Sequence, residues 1–225
     1  GESSNFLCYR ALRLNYYAVT GLLARVCLYA GQRENAFNYS TEVIKASNNG
    51  IFPFVDRSLV NGTAQDPDRI FSPEVLFALS DSQRGELFEE YFDPSLAPNM
   101  VFRMETDLLE QTIYGGTGTG GNLDDYRCRS NWISSGSARY FYKYSDMTES
   151  GRIENTMIPL LRLGEMYLIA AESQSNSLAN GVSYINTLRK NRGVSNLQTL
   201  TTTLLQYEYI REVYGEGQLF FMYKR

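Results

Sequence analysis

The 225-residue sequence contains no histidine. That removes the usual proton shuttle near neutral pH and the commonest metal ligand. It also excludes Ser-His-Asp and Cys-His catalysis within the chain. Cysteine is scarce: Cys8, Cys27 and Cys128, with no two at metal-ligand spacing. Cys27 sits in an apolar helical stretch and reads as a small buried hydrophobe, while a Cys8–Cys128 disulfide stays open. No run approaches the roughly 18 apolar residues of a membrane span. The N-terminus lacks the basic-then-apolar pattern of a signal sequence. Gly1 reads as a residue left by tag removal, and Cys8 follows Asn5-Phe6-Leu7, not the small residues of a lipid-attachment site. Any export signal is expected outside this sequence. A basic excess is also lacking, since the net charge is −4, so no nucleic-acid partner is implied.

What is present is a globular composition, 43% hydrophobic and 20% charged. The length allows one sizeable core or two small ones. Tyrosine (17) and phenylalanine (12) are abundant, and most should lie in the core. Any that reach solvent are candidate ligand platforms.

Residues 8–30 read as a helix with two apolar stripes. One is Ala11, Leu14, Ala18, Leu22, Val26 and Tyr29, and the other is Leu12, Tyr16, Val19, Leu23, Cys27 and Ala30. Two stripes predict burial on two sides. A second helix is predicted over 34–48, stopped by Asn48-Asn49-Gly50. The layout recurs as helices over 159–174 and 179–192, with Ala24 matching Ala170 and Ala36 matching Val182. Helical hairpins of this size have the dimensions of a tetratricopeptide unit. A terminal helical region covers 203–225. Between the hairpins, residues 49–157 contain Pro53, Pro67, Pro73, Pro94 and Pro98 and read as a long irregular insertion. Short strands are expected at Glu74–Leu79 and Tyr140–Tyr144, with a flexible glycine loop over 115–121. The whole reads as a single mainly α domain of tetratricopeptide-like α-α hairpins.

Several motifs invite chemistry. Gly116-x-Gly118-x-x-Gly121 matches a dinucleotide fingerprint in letters only, because no helix-opening apolar stripe follows it. Asp124 and Asp125 are adjacent and cannot flank one glycosidic bond, so they read as solvated loop acids. Asp66 and Asp68 could offer oxygen to calcium, and a plain turn explains them as well. Arg162, Glu165, Glu172, Arg211, Glu212 and Glu216 interrupt apolar helical faces and read as buried pairs that fix helix register. Trp132 follows the glycine loop, with Tyr114, Tyr126, Arg127, Asn131 and Arg129 near it. Aromatic faces stack on sugar C–H faces, and planar polar groups bind hydroxyls. Trp132, Tyr126 and Tyr114 are therefore the candidate stacking surfaces, with Arg127 and Asn131 as hydrogen-bond partners. The other reading makes Trp132 an anchor that ties the insertion to the helical core.

Five segments, in this order, resemble the SusD/RagB family of nutrient-binding outer-membrane lipoproteins. They are Ala11-Leu-Arg-Leu-Asn-Tyr-Tyr17 through Ala36 and Val43-Ile44; Asp66-Pro67 through Glu74-Val-Leu-Phe-Ala-Leu79; Arg162-Leu-Gly-Glu-Met-Tyr-Leu-Ile-Ala-Ala-Glu172; Asn186-Thr-Leu-Arg189 through Arg192-Gly193; and Glu208, Glu212, Glu216-Gly217-Gln218 with Arg225. Leu219 and Met222 stand where the family usually has Arg and Asp, and family members are about twice this length. The resemblance implies a helical scaffold with a ligand site on loops of one face and no catalysis or cofactor. It further implies capture of a glycan, or in some relatives a peptide, for a SusC-like TonB-dependent transporter. The setting would be the cell surface, on a lipid anchor outside this sequence. The middle insertion, around 114–142, would help build the sugar platform. A helical-repeat scaffold for protein or peptide is the competing reading, and an enzyme with its site in the insertion is a third.

Overall fold

The computed structural model describes residues 13–61, 66–149, 151–174 and 177–225. In chain order the helices α1 (Tyr16–Tyr29) and α2 (Arg33–Asn48) come first, then strand β1 (Val75–Ser80) and helix α3 (Arg84–Tyr91). Helix α4 (Tyr126–Asn131) runs into the hairpin of β2 (Trp132–Ser135) and β3 (Ala138–Phe141). Strand β4 (Met157–Arg162) leads directly into α5 (Leu163–Glu172), followed by α6 (Val182–Asn191), α7 (Thr202–Val213) and α8 (Gln218–Lys224).

The scaffold is a stack of helix pairs: α1 on α2, α2 on α5, and α5 on both α6 and α7. Small residues at the crossings let the axes approach. Ala24, Ala36 and Ala170 are fully buried. The two hairpins expected from periodicity are present, with three corrections. Asn15 caps α1, its Oδ1 accepting from Ala18 N at 3.0 Å, so this helix starts at Tyr16; residues 8–12 lie outside the described residues. Residues 157–162 form a strand, because they pair antiparallel with β1 (Ala78 opposite Pro159, Ser80 opposite Met157), so the helix expected from 159 begins at Leu163. The terminal helical region is broken after Val213 by Gly215 and Gly217, both with left-handed φ, +76°.

The double-sided burial expected for the first helix is also corrected. Its buried face is Ala18, Thr20, Gly21, Ala24, Cys27 and Leu28, facing α2, α5 and the β1–β4 ladder. Val19, Leu22, Leu23 and Val26 remain exposed, while Tyr29 is only partly covered, by Phe221 of α8 at 5.7 Å.

The β1–β4 ladder closes the insertion at its base, so residues 81–156 leave and rejoin the scaffold at one place. The insertion is less irregular than expected. It owns a second core of Phe88, Leu109, Ile113, Tyr114, Cys128, Trp132, Phe141 and Tyr144, against which Tyr207, Ile210 and Tyr214 pack. The glycine loop is pinned: Arg211 donates to the Ile113 carbonyl at 2.8 Å and to the Thr119 carbonyl at 2.7 Å.

Candidate ligand-binding surface

Between the two cores runs a lattice of buried charge. Arg192 reaches Glu74 and Glu212. Arg162 reaches Glu212 at 2.9 Å and Glu216 at 2.7 Å. Arg127 reaches Asp125, Glu208 and Glu212 at 2.6–3.2 Å. Arg189 and Arg211 also pair with Glu208, and Lys143 with Glu216. Burial alone would raise the Glu212 carboxyl, but Arg192, Arg162 and Arg127 hold it well below the ordinary carboxylate range. Glu208 is likewise lowered, with Arg127, Arg211 and Arg189 outweighing burial. The expected structural role of Arg162, Glu165, Glu212 and Glu216 is what the geometry shows; Glu165 holds Arg25 of α1 at 2.6 Å. Gly164 belongs to the same arrangement, because a Cβ there would collide with the Glu212 carboxylate.

The lattice corrects the sequence reading of the ligand site. Arg127 is 1% exposed and is held by three carboxylates. Trp132 is 2% exposed, with its ring centroid 5.0 Å from both Phe141 and Tyr214. It borders an open cleft of about 330 Å³ with Asp124, Arg129, Ser134 and Arg139, yet offers no free face for stacking. Tyr114 is buried, with the Arg211 guanidinium 6.0 Å from its ring centre. Asn131 is buried at the end of α4, accepting a bond from Ser130 Oγ at 3.2 Å. Tyr126 is half-buried against the Val55, Val60 and Phe71 cluster. The anchoring reading of Trp132 is therefore the one its geometry supports. Sequence proximity brought these residues together, but as core, because α4 and β2 turn them inward against α7.

The acidic candidates are also placed. Asp125 is buried and caps α4, accepting from Arg127 N at 2.9 Å, so it is not the solvated acid expected; Asp124 is exposed and pairs with Arg129. Asp68 accepts from Ser72 N and Oγ at 2.8 and 2.7 Å, and Asp66 accepts from Thr148 N at 3.0 Å. Among the described residues no group of three or more His, Cys, Asp or Glu is placed to hold a metal ion. Cys27 and Cys128 are buried free thiols, and Cys8 lies outside the described residues. Burial, with Asp125 nearby, pushes the Cys128 thiol up to about 12, so it stays protonated and unreactive.

The insertion does present aromatic rings to solvent, at positions other than the candidates read from sequence. Tyr91, at the end of α3, and Phe102 lie with centroids 5.7 Å apart and planes inclined by 31°. Phe102 is 62% exposed and Tyr91 40%. Their meeting is fixed by the Phe102 amide donating to the Tyr91 carbonyl at 2.7 Å, which closes the proline-containing loop between them. Next in sequence, Arg103 places its guanidinium 5.8 Å from the Tyr140 ring centre on β3. Tyr142 lies 4.9 Å from Phe88 with planes inclined by 53° and has Arg69 5.9 Å from its own centre. The result is an exposed pair of rings, Tyr91 and Phe102, continued through Arg103 to Tyr140. The available signal was Tyr91-Phe92-Asp93-Pro94 and Pro98-Asn99-Met100-Val101-Phe102, aromatic residues on a proline-punctuated loop.

The model of the SusD family matches residues 80–225. The chain belongs to the SusD family. Solved structures share its fold. A SusD-like carbohydrate binding protein from Bacteroides vulgatus is 20% identical, with a TM-score of 0.61 over 96% of this chain and 46% of its own. A SusD homolog from Bacteroides thetaiotaomicron is 19% identical, with a TM-score of 0.66 over 92% and 50%. Surface glycan-binding protein A from Bacteroides uniformis is 16% identical, with a TM-score of 0.64 over 94% and 50%. The chain thus spans about half the length of the solved structures it matches. No curated protein matches it in sequence.

Proposed function

We propose that this SusD-family chain is a non-catalytic saccharide-binding module whose platform is the exposed Tyr91–Phe102 strip. The observation that carries this is the pair of solvent-facing rings beside the Arg103–Tyr140 contact. Flat aromatic faces bind sugar C–H surfaces, and the adjacent guanidinium groups donate to hydroxyls. The names of two matched proteins, one carbohydrate-binding and one glycan-binding, support the ligand class. Nothing in the chain supplies an imidazole base. The finer reading is delivery of the bound glycan to a SusC-like TonB-dependent transporter, at the bacterial outer membrane and on a lipid anchor outside this sequence. The competing reading, a helical scaffold for protein contacts, has the exposed apolar row of α1 in its favour.

Affinity electrophoresis in gels cast with β-1,3-glucan, starch or mannan tests the proposal. The parent should be retarded by at least one polysaccharide, and Tyr91→Ala/Phe102→Ala should be retarded markedly less. Unretarded parent in all three gels, or a double variant retarded like the parent, would overturn it. Reducing ends released steadily from the same polysaccharides would overturn the non-catalytic part.

A further inference from the structure

A second recess lies beside the insertion's core, lined by Met104, the turn over 108–113, α7 and α8. Residues Leu108–Ile113 form a π-helical turn, with the Tyr114 amide donating to the Leu109 carbonyl at 2.9 Å, five residues back. Such turns are rare and recur at functional sites. The wider turn sends Leu109 and Ile113 into the core and leaves Leu108 and Thr112 lining a cavity of about 310 Å³ shared with α7 and α8. That volume sits at the lower end of the roughly 300–1,000 Å³ of small-molecule sites.

Two properties of the lining select the ligand. First, it contains no Asp, Glu, Lys or Arg. A charged ligand would lose hydration with no partner in return. Second, it is amphipathic. Tyr207, Tyr214 and Tyr223 supply rings, while Thr112, Thr203 and Gln206 supply hydroxyls and an amide. Among the described residues none of these six side chains has a polar partner within the protein through its hydroxyl or amide. Rings for C–H faces and unpaired, uncharged donors and acceptors for hydroxyls are the complement of a neutral pyranose.

We infer that this recess is a second saccharide subsite, taking one neutral sugar ring or a chain end. It shares the ligand class of the proposed function but does not require the Tyr91–Phe102 strip to be the main platform. Selectivity follows from the lining: neutral hexoses enter, and uronic acids and sugar phosphates are excluded.

Saturation-transfer NMR titrations of the full chain with laminaritriose, maltotriose, mannotriose and glucuronic acid test it. The variants are Gln206→Leu/Tyr223→Ala, both at exposed positions, and Phe102→Ala. At least one neutral trisaccharide should show saturable transfer with the parent, and with the Phe102→Ala protein a saturable component should remain after the strip's share is lost. The Gln206→Leu/Tyr223→Ala protein should bind it about tenfold more weakly, as expected for a lost hydrogen bond plus a lost ring contact. Glucuronic acid should show no saturable transfer. No saturation of Phe102→Ala by any neutral sugar, unchanged affinity in the double variant, or equal binding of glucuronic acid would each overturn the subsite. A double variant that loses the sugar while Phe102→Ala does not would retain the subsite and remove the strip. The reverse would retain the strip and remove the subsite.

Discussion

Arg192 and Glu74 are 118 positions apart in sequence and meet through two hydrogen bonds, 2.7 and 2.6 Å, with both side chains fully buried. This contact ties the turn before β1 to the end of α6, and through Glu212 it reaches α7. It joins the entry of the insertion to the helical scaffold.

Breaking that contact should be costly. Arg192→Met leaves Glu74 with the Val55 amide at 3.2 Å and removes a partner of Glu212. Removing one member of a buried pair costs about 3–5 kcal/mol. Urea unfolding should show a loss of that size. A loss under about 1 kcal/mol would mean the lattice is not a determinant of stability.

Acid should destabilise the fold. Glu208 and Glu212 are both lowered from the ordinary 4.5, burial being outweighed by their arginine neighbours. A lowered folded-state pKa means that the unfolded chain takes up protons first as pH falls. The stabilisation is therefore complete above about pH 4.5 and is lost progressively below it. Melting temperature should be flat from pH 7 to 5 as far as these groups act and fall between pH 4.5 and 3. A melting temperature unchanged down to pH 3 would contradict the assignment.

Trp132 should behave as core. Trp132→Ala should cost about 3–5 kcal/mol, because the ring fills the space between Phe141 and Tyr214. As the only tryptophan, it also reports directly. Its emission should be blue-shifted and poorly quenched by acrylamide in the native protein. Ready quenching would place the ring at the surface.

The two sides of α1 should respond in opposite ways. Leu22→Ser and Val26→Ser, on the exposed row, should change stability by about 0.5 kcal/mol or less. Ala24→Leu, at a fully buried crossing, should cost about 1–3 kcal/mol through overpacking. Chemical denaturation of the three variants checks this, and equal effects on both sides would reverse the assigned face.

The sequence by itself determined the helical hairpins, the strand pieces near 75–79 and 140, and the structural role of the charges on apolar helices. These follow from local rules. A 3.6-residue period needs a face to bury, Asn48-Asn49-Gly50 marks an end, and a charge among apolar neighbours needs a partner. The SusD-like motifs were legible as a resemblance, and the structure shows that Arg162 and Gly164 both meet Glu212. Local rules could not say where each partner lay. Tertiary structure drew 157–162 into a ladder with β1, because a β-strand is defined by a neighbour remote in sequence. It also turned Trp132, Arg127, Asn131 and Tyr114 inward, because α7 supplies the rings and carboxylates that receive them. The aromatic strip followed the same logic in reverse. Tyr91 and Phe102 are ordinary aromatic residues in sequence, and only the packing of their neighbours Phe88 and Phe92 on Tyr142 and Phe141 left their faces to solvent. Exposure is set by what does not pack over a residue, and that is a property of the whole fold.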